Sequence, residues 1–438
     1  MVRFQDPLNA LGFALIGLLM RLWHLGQPKG YIFDEVYYAK NAHSLALHGV
    51  EINDKGMADF IVHPPVGKWL IAIGIKAFGY NEFGWRVSSA VIGSLSIALI
   101  YLVAKRLFNR PLISSSAAIL TLADGLHLVH SRTALLDIFL MFFLLLGFYF
   151  LLSSRHWLAG ISLGLATGVK WSGVYFIVAY FFFMIYVDYR QAQALEEESP
   201  VKFTLRNSLW KRILQYGLLP IVTYIATWTG WFMTTTGWDR AWSTNIVRNF
   251  WHYHAEILNF HTNLVEKHAY SANPWSWLVM GRPTSFFYAT PTGCGTTACS
   301  QEILAVGTPL LWWSGLIAIA ITFGYWIARR EWQSGLLLLS LGAGYLPWFL
   351  FQKRTMFTFY AIAFEPFMIL IICYVIAKWL EEPKDEDHLQ IPRLVRERVL
   401  YAYLAVIVLC FIYFSPLYFG SVISYASWHA HMWLPSWI

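Results

Sequence analysis

Two adjacent carboxylates, Asp34 and Glu35, follow the first apolar stretch of the chain, and His63, Pro64 and Pro65 lie further along the same polar stretch. A carboxylate at the mouth of an apolar bundle can take a proton from a hydroxyl, provided its neighbours keep it ionised or raise its pKa only modestly. The same pair could hold a metal, or simply cap or solvate a helix end. Pro64 and Pro65 remove two backbone donors and fix the entry of the next helix, while His63 by itself is as well explained by packing as by chemistry. A second set is cationic: Arg86, Arg132, Lys170, Lys353 and Arg354 all fall at ends of apolar segments. Arginine offers phosphate a bidentate fork and lysine a compact charge; both can also snorkel to lipid headgroups. A carboxylate that activates a nucleophile, cations that hold a phosphate leaving group and a groove for a lipid tail together describe sugar transfer from a lipid-linked phosphosugar.

The elements that must position these groups are membrane spans. Of the 438 residues 57% are hydrophobic, 18% aromatic and only 13% charged, which excludes an ordinary soluble globular protein. A spanning helix needs roughly 20 mainly apolar residues, because every backbone polar group must be satisfied within the segment. Eleven segments qualify: 8–25, 86–104, 112–130, 134–152, 157–169, 173–188, 213–236, 305–328, 333–351, 357–378 and 399–419. Arg21 inside the first, and the lack of a small-residue cleavage site, argue for a retained span rather than a signal peptide. A cytoplasmic N-terminus puts most Lys and Arg inside, from Lys105 and Arg106 through Lys378 and Lys384 to Arg396 and Arg398. Loops 26–85 and 237–304 and the tail 420–438 then lie outside, as part of one transmembrane domain over 1–438. The net charge of +7 is explained by this topology and does not imply nucleic acid. Connectors 189–212 and 379–398 read as solvated.

In loop 26–85, residues 36–48 and 66–79 show apolar positions at helical spacing and read as helices in the interface plane. Cys373 and Cys410 fall inside spans as small core residues, whereas Cys294 and Cys299 bracket a Gly/Thr-rich turn. That pair suits a disulfide staple in an oxidising compartment better than zinc. Trp228, Trp231, Trp238, Trp242, Trp251, Trp275 and Trp277 suit interface belts or sugar stacking. The spacing of His252, His254, His261 and His268 invites a metal, but WHYHAEILNFHTNLVEKH also reads as an amphipathic helix in the interface.

FDE after the first span, HPPVGKWLI, WRVSSAVIG, SRTALLDIFLMFF and GVKWSG occur in that order over the first 180 residues. In this order they resemble the protein O-mannosyltransferases, GT-C type membrane enzymes that use polyprenyl- or dolichyl-phosphate-mannose. RTMFTFYAIAFEPF resembles the family's C-terminal half more loosely, and loop 237–304 is too short for the MIR domain of eukaryotic members, which points to a bacterial type. The resemblance implies an all-α GT-C bundle with about 11 transmembrane helices in the plasma membrane. It implies inverting transfer of mannose from a polyprenyl-phosphate donor to Ser or Thr of exported proteins on the outer face, with membrane lipids and the secretion machinery as surroundings. Carried onto this sequence, Asp34 is the general base and Glu35 supports it. His63, Pro64 and Pro65 shape the loop, and Arg86, Arg132 and Lys170 bind the lipid phosphate or position the acidic pair. Lys353 and Arg354 are assigned to phosphate by location. No cofactor is implied, and no ligand spacing supports a divalent metal. Two alternatives remain at this level: a GT-C transferase moving aminoarabinose or arabinose to lipid or polysaccharide, and a transporter or lipid flippase, which inverted repeats and interrupted helices would mark.

Overall fold

The computed structural model of the protein describes residues 2–381 and 391–438, so Lys384 lies outside the described residues. The first helix, α1 (Val2–Leu22), leads into the polar stretch carrying α2 (Glu35–His48) and α3 (Val66–Phe78), close to the expected 36–48 and 66–79. Then come α4 (Glu82–Phe108), α5 (Pro111–Leu122), the short α6 (Gly125–His130), α7 (Asp137–Leu152), α8 (His156–Val169) and α9 (Gly173–Ala194). After α10 (Pro200–Asn207) the chain rises through α11 (Leu209–Ile213), a π-helical turn over Leu214–Leu218, α12 (Leu219–Ala226) and α13 (Thr229–Met233). Loop 237–304 contains α14 (Ile246–Asn263) and two strands, β1 (Thr284–Ala289) and β2 (Cys299–Ala305). The last apolar helices are α15 (Pro309–Arg329), α16 (Trp332–Tyr345), α17 (Glu365–Trp379) and α18 (Arg393–Phe419), followed by β3 (Val422–Ser424) and α19 (Tyr425–Ala430).

Every expected apolar segment is helical, but among the described residues five helices are long and apolar enough to cross a membrane by length and composition: α4, α9, α15, α16 with its extension to Phe351, and α18. Three expected spans are interrupted. The 112–130 segment breaks at Asp124, whose carboxylate accepts from the Leu126 N–H (2.6 Å) and Trp312 Nε1 (2.7 Å). The 213–236 segment breaks around Pro220, which has no N–H to give to the Tyr216 carbonyl, and the π turn lies just before it. The 357–378 segment begins as a 3-10 turn over Thr358–Ala363 before Glu365–Trp379 forms α17. α8 packs closely on the interrupted segment through Gly160 and Gly164; a Cβ at Gly164 would meet the Pro220 carbonyl at 2.8 Å.

The polar stretches meet at one end of the bundle. Ile61 N–H donates to Tyr253 (3.3 Å), Thr355 N–H to the Leu264 carbonyl (3.1 Å) and Ala272 N–H to the Met356 carbonyl (2.8 Å). β2 is the central strand of a three-stranded antiparallel sheet ordered β1-β2-β3, with Cys299 opposite Ser424, so the C-terminal tail is tied to the same end. Cys294 and Cys299 form a disulfide in the β1–β2 connection. Sharing one end requires an even number of crossings between these stretches. The opposite end gathers a different set of pairs: Lys105–Asp6, Arg212–Asp188 and Lys378–Glu331. Tryptophans divide between two environments: Trp251 and Trp275 are exposed, but Trp228, Trp231 and Trp277 are core residues rather than belt residues.

Candidate active site

Asp34 occupies the N-cap position of α2, but its carboxylate makes no capping bond and has no hydrogen-bond partner among the described residues. A carboxylate at this position normally spends itself on the free N–H groups of the first turn; here it is left available. Burial pushes it up to about 6, Lys170 pulling it back and Asp137 adding to the rise. Phe33, immediately before it, takes a left-handed φ of 47°. The Phe33 ring stacks on Phe286 of β1 at 4.6 Å and meets Phe359 edge-on at 5.5 Å.

Glu35 has the opposite fate. It is fully buried and accepts from Arg86 Nε and Nη2 (both 2.8 Å), Trp85 Nε1 (3.3 Å), and the N–H groups of Ile32 (3.1 Å) and Ala134 (3.0 Å). Arg86 spends its other donors on the carbonyls of Leu25, Pro28 and Gly30. Each is saturated by the other and by backbone, so neither has a group left over for substrate; of the roles expected for them, the contacts are those of Glu35 supporting Asp34 and of Arg86 positioning the acidic pair. Together they fix the strand of chain on which Asp34 sits. Arg132 likewise spends its donors on backbone. Its guanidinium donates to the carbonyls of Arg21 (2.7 Å) and Trp23 (2.6 Å), satisfying the otherwise unpaired C-terminal carbonyls of α1.

Lys170 caps the C-terminal end of α8, where a cation is favoured, and Asp137 lies in the first turn of α7, where an anion is favoured. Their ends meet: Lys170 Nζ lies 2.9 and 2.8 Å from the two Asp137 oxygens and 5.2 Å from the centre of the Tyr360 ring. A cavity of about 790 Å³ opens beside this pair. Its head is lined by His63, Asp137, Lys170, His261 and Arg354, and its length by apolar groups of α9 and the interrupted segment, among them Val178, Phe181, Phe182, Gly217 and Ile221. Asp34 is not among the lining residues; it is joined to the head by charge, through Lys170 and Asp137. Burial, followed by Lys170, pushes the His63 imidazole well below its usual range, so a neutral ring faces the cavity. The His63 carbonyl accepts from Lys68 Nζ (2.9 Å), which also pairs with Glu51 (2.6 Å), and Pro65 is the N-cap residue of α3. Lys353 is exposed and lies outside the lining, so the structure separates it from its neighbour Arg354.

Sequence reasoning missed Asp137 and gave His261 no role in the site. A signal for the first existed: Lys170 at a helix end needs a counter-charge at the same depth, and Asp137 is the acid that opens the neighbouring apolar run. Among the described residues there is no group of three or more His, Cys, Asp and Glu that could hold a metal; on α14, His254 and His261 share the side that lines the cavity, His252 lies on the other side beside Asp239 (3.2 Å), and His268 falls beyond the helix, which ends at Asn263.

Comparison with known proteins places this arrangement. Residues 62–201 match the family model described as dolichyl-phosphate-mannose-protein mannosyltransferase, and residues 246–437 match the C-terminal four-span region of protein-O-mannosyltransferase. A polyprenol-phosphate-mannose–protein mannosyltransferase of Mycobacterium tuberculosis is 33% identical over 93% of this chain and 86% of its own. The chain belongs to the protein O-mannosyltransferase family. Its fold is similar to that in the Saccharomyces cerevisiae protein O-mannosyltransferase Pmt1–Pmt2 complex bound to the sugar donor, with a TM-score of 0.80 and 15% identity, covering all of this chain and 93% of that one. The likeness to ArnT of Cupriavidus metallidurans is weaker, with a TM-score of 0.57 over 96% of this chain and 77% of that one. A protein O-mannosyltransferase is a membrane-embedded GT-C enzyme, which sets aside the transporter and flippase alternative.

Proposed function

We propose that the protein transfers mannose from a polyprenyl-phosphate-mannose donor to Ser or Thr hydroxyls of exported proteins at the outer face of the membrane. The observation that carries this reading is a cavity that joins a cationic head, Lys170 and Arg354, to an apolar length between α9 and the interrupted segment. A lipid phosphate fits the first and a polyprenyl chain the second. The acceptor hydroxyl oxygen bonds to the anomeric carbon as the bond from that carbon to the phosphate oxygen breaks. The hydroxyl proton passes to Asp34, and the lipid phosphate departs with the bonding pair, its charge held by Lys170 and Arg354. A single displacement inverts the anomeric centre, and a phosphate leaving group needs no strong general acid. Asp137 orients Lys170. Glu35 and Arg86 hold Asp34 in place.

The cations paired at the opposite end of the bundle, Lys105, Arg212 and Lys378, support a cytoplasmic N-terminus and an external active site. Acceptors then arrive as they are exported, which makes the secretion machinery a neighbour. The test is transfer of labelled mannose from polyprenyl-phosphate-mannose to a Ser/Thr-rich peptide by purified wild type and Asp34→Asn. Transfer by wild type and its loss in a folded variant whose melting temperature is not lowered are expected. Wild type that works only with another lipid-linked sugar would overturn the donor assignment.

A further inference from the structure

We propose that His261, on α14 of the second outer loop, is a positioning residue that sets the Arg354 guanidinium in the orientation in which it meets the donor phosphate. The inference rests on the functional reading above. His261 Nε2 lies 2.8 Å from the Val62 carbonyl and Nδ1 lies 3.2 Å from Arg354 Nη2. A carbonyl can only accept and a guanidinium can only donate, so the two partners fix the tautomer: Nε2 carries the proton and Nδ1 presents its lone pair to Arg354. The ring has to be neutral to do this. Burial, and then Arg354 itself, hold it down at about 4, so it remains an acceptor across the neutral range.

The consequence falls on the rest of the arginine. Arg354 Nε is buried with no partner among the described residues, and the side chain lines the cavity head with His63, His261 and Lys170. A buried guanidinium N–H left without an acceptor is costly. An anion in the head of the cavity is the group that would satisfy it, and His261, by taking Nη2, leaves the remaining donors for that anion. Val62 sits in the first outer loop, directly before His63, so one imidazole connects three separate parts of the chain. α14 therefore contributes to the site without supplying a residue that touches the reacting atoms.

The experiment is a double-mutant cycle read by direct binding of polyprenyl monophosphate to the detergent-purified full chain, with steady-state kinetics alongside. His261→Ala is expected to weaken binding about tenfold, the scale of one hydrogen bond to a charged group, raising KM for the donor while kcat moves little. In an Arg354→Ala background the same substitution should change binding much less. His261→Gln, which can accept from Arg354 and donate to Val62, should restore most of the loss. Equal weakening in both backgrounds would show that His261 only supports the fold, and no weakening in either would show that Arg354 orients itself; each overturns the proposal. A wild type that fails to bind polyprenyl monophosphate at all would overturn the functional reading together with this inference.

Discussion

As a base, Asp34 has to be ionised, and burial holds its carboxyl at about 6. The expected kcat/KM therefore climbs as pH rises through about 6 and then levels, since below that value the carboxyl is occupied by a proton. Stability should move the other way. The folded pKa is raised above the unfolded value of about 3.9, so the native state binds the extra proton, and the protein gains stability as pH falls through that window. Asp34→Asn should abolish transfer and flatten this part of the stability curve; pH–rate profiles and thermal melts across pH 4–8 check both. Glu35→Gln is expected to behave differently. It leaves the buried Arg86 without its carboxylate, a loss of about 3–5 kcal/mol for a broken buried pair, so the melting temperature and the activity should fall together. The two adjacent acids are indistinguishable in sequence. Their separation comes from the start of α2, where one residue step turns the side chain by about 100° around the helix axis, aiming Glu35 into the core at Arg86 and Asp34 away from it.

At the scale of elements, the sheet reaches back to the chain that carries Asp34. Phe33 holds a backbone conformation that a bulky residue adopts only when its surroundings impose it, at a cost of about 1–3 kcal/mol. Phe286 of β1 stacks on it, with Phe357 and Phe359 edge-on at 6.1 and 5.5 Å. Phe286→Leu keeps most of the volume but loses the stack, so we expect a stability loss under about 1.5 kcal/mol and a fall in kcat of about tenfold from a displaced Asp34. Unchanged kcat in a folded Phe286→Leu protein would sink this role. None of the three strands was legible in the sequence. They are short, the third is separated from its partner by the four last apolar helices, and a pairing of that separation leaves no local pattern. The two helices of loop 26–85 were legible, because each has apolar positions at helical spacing over more than three turns. The Lys170–Asp137 contact was half-legible: each residue stands at a readable helix end, but that the two ends coincide depends on the antiparallel packing of α7 and α8.

For the molecule as a whole, the apolar segments announced the bundle, while the cavity depends on a defect that hydropathy does not record. The segment read as one span, 213–236, is divided by the π turn and Pro220, and Tyr216, Gly217, Pro220 and Ile221 from this stretch line the cavity opposite Val178, Phe181 and Phe182. π turns widen the helix locally and recur where a helix borders a ligand. If the lower cavity houses the polyprenyl chain, filling it should discriminate by chain length and leave the chemistry at the head intact. Gly217 is the place to fill, because an added Cβ there would find its nearest neighbour, Ile213 Cγ2, at 3.9 Å, so a larger side chain can enter without displacing the backbone. Gly217→Phe is expected to raise KM for a long-chain polyprenyl-phosphate-mannose about tenfold, the scale of apolar-pocket discrimination, to leave kcat nearly unchanged, and to spare a short-chain analogue whose tail ends above the ring. Donor kinetics with the two chain lengths decide it. Equal effects on both donors would place the ring in the path of the phosphate rather than of the tail, and no effect on either would mean that the lipid runs elsewhere along the bundle.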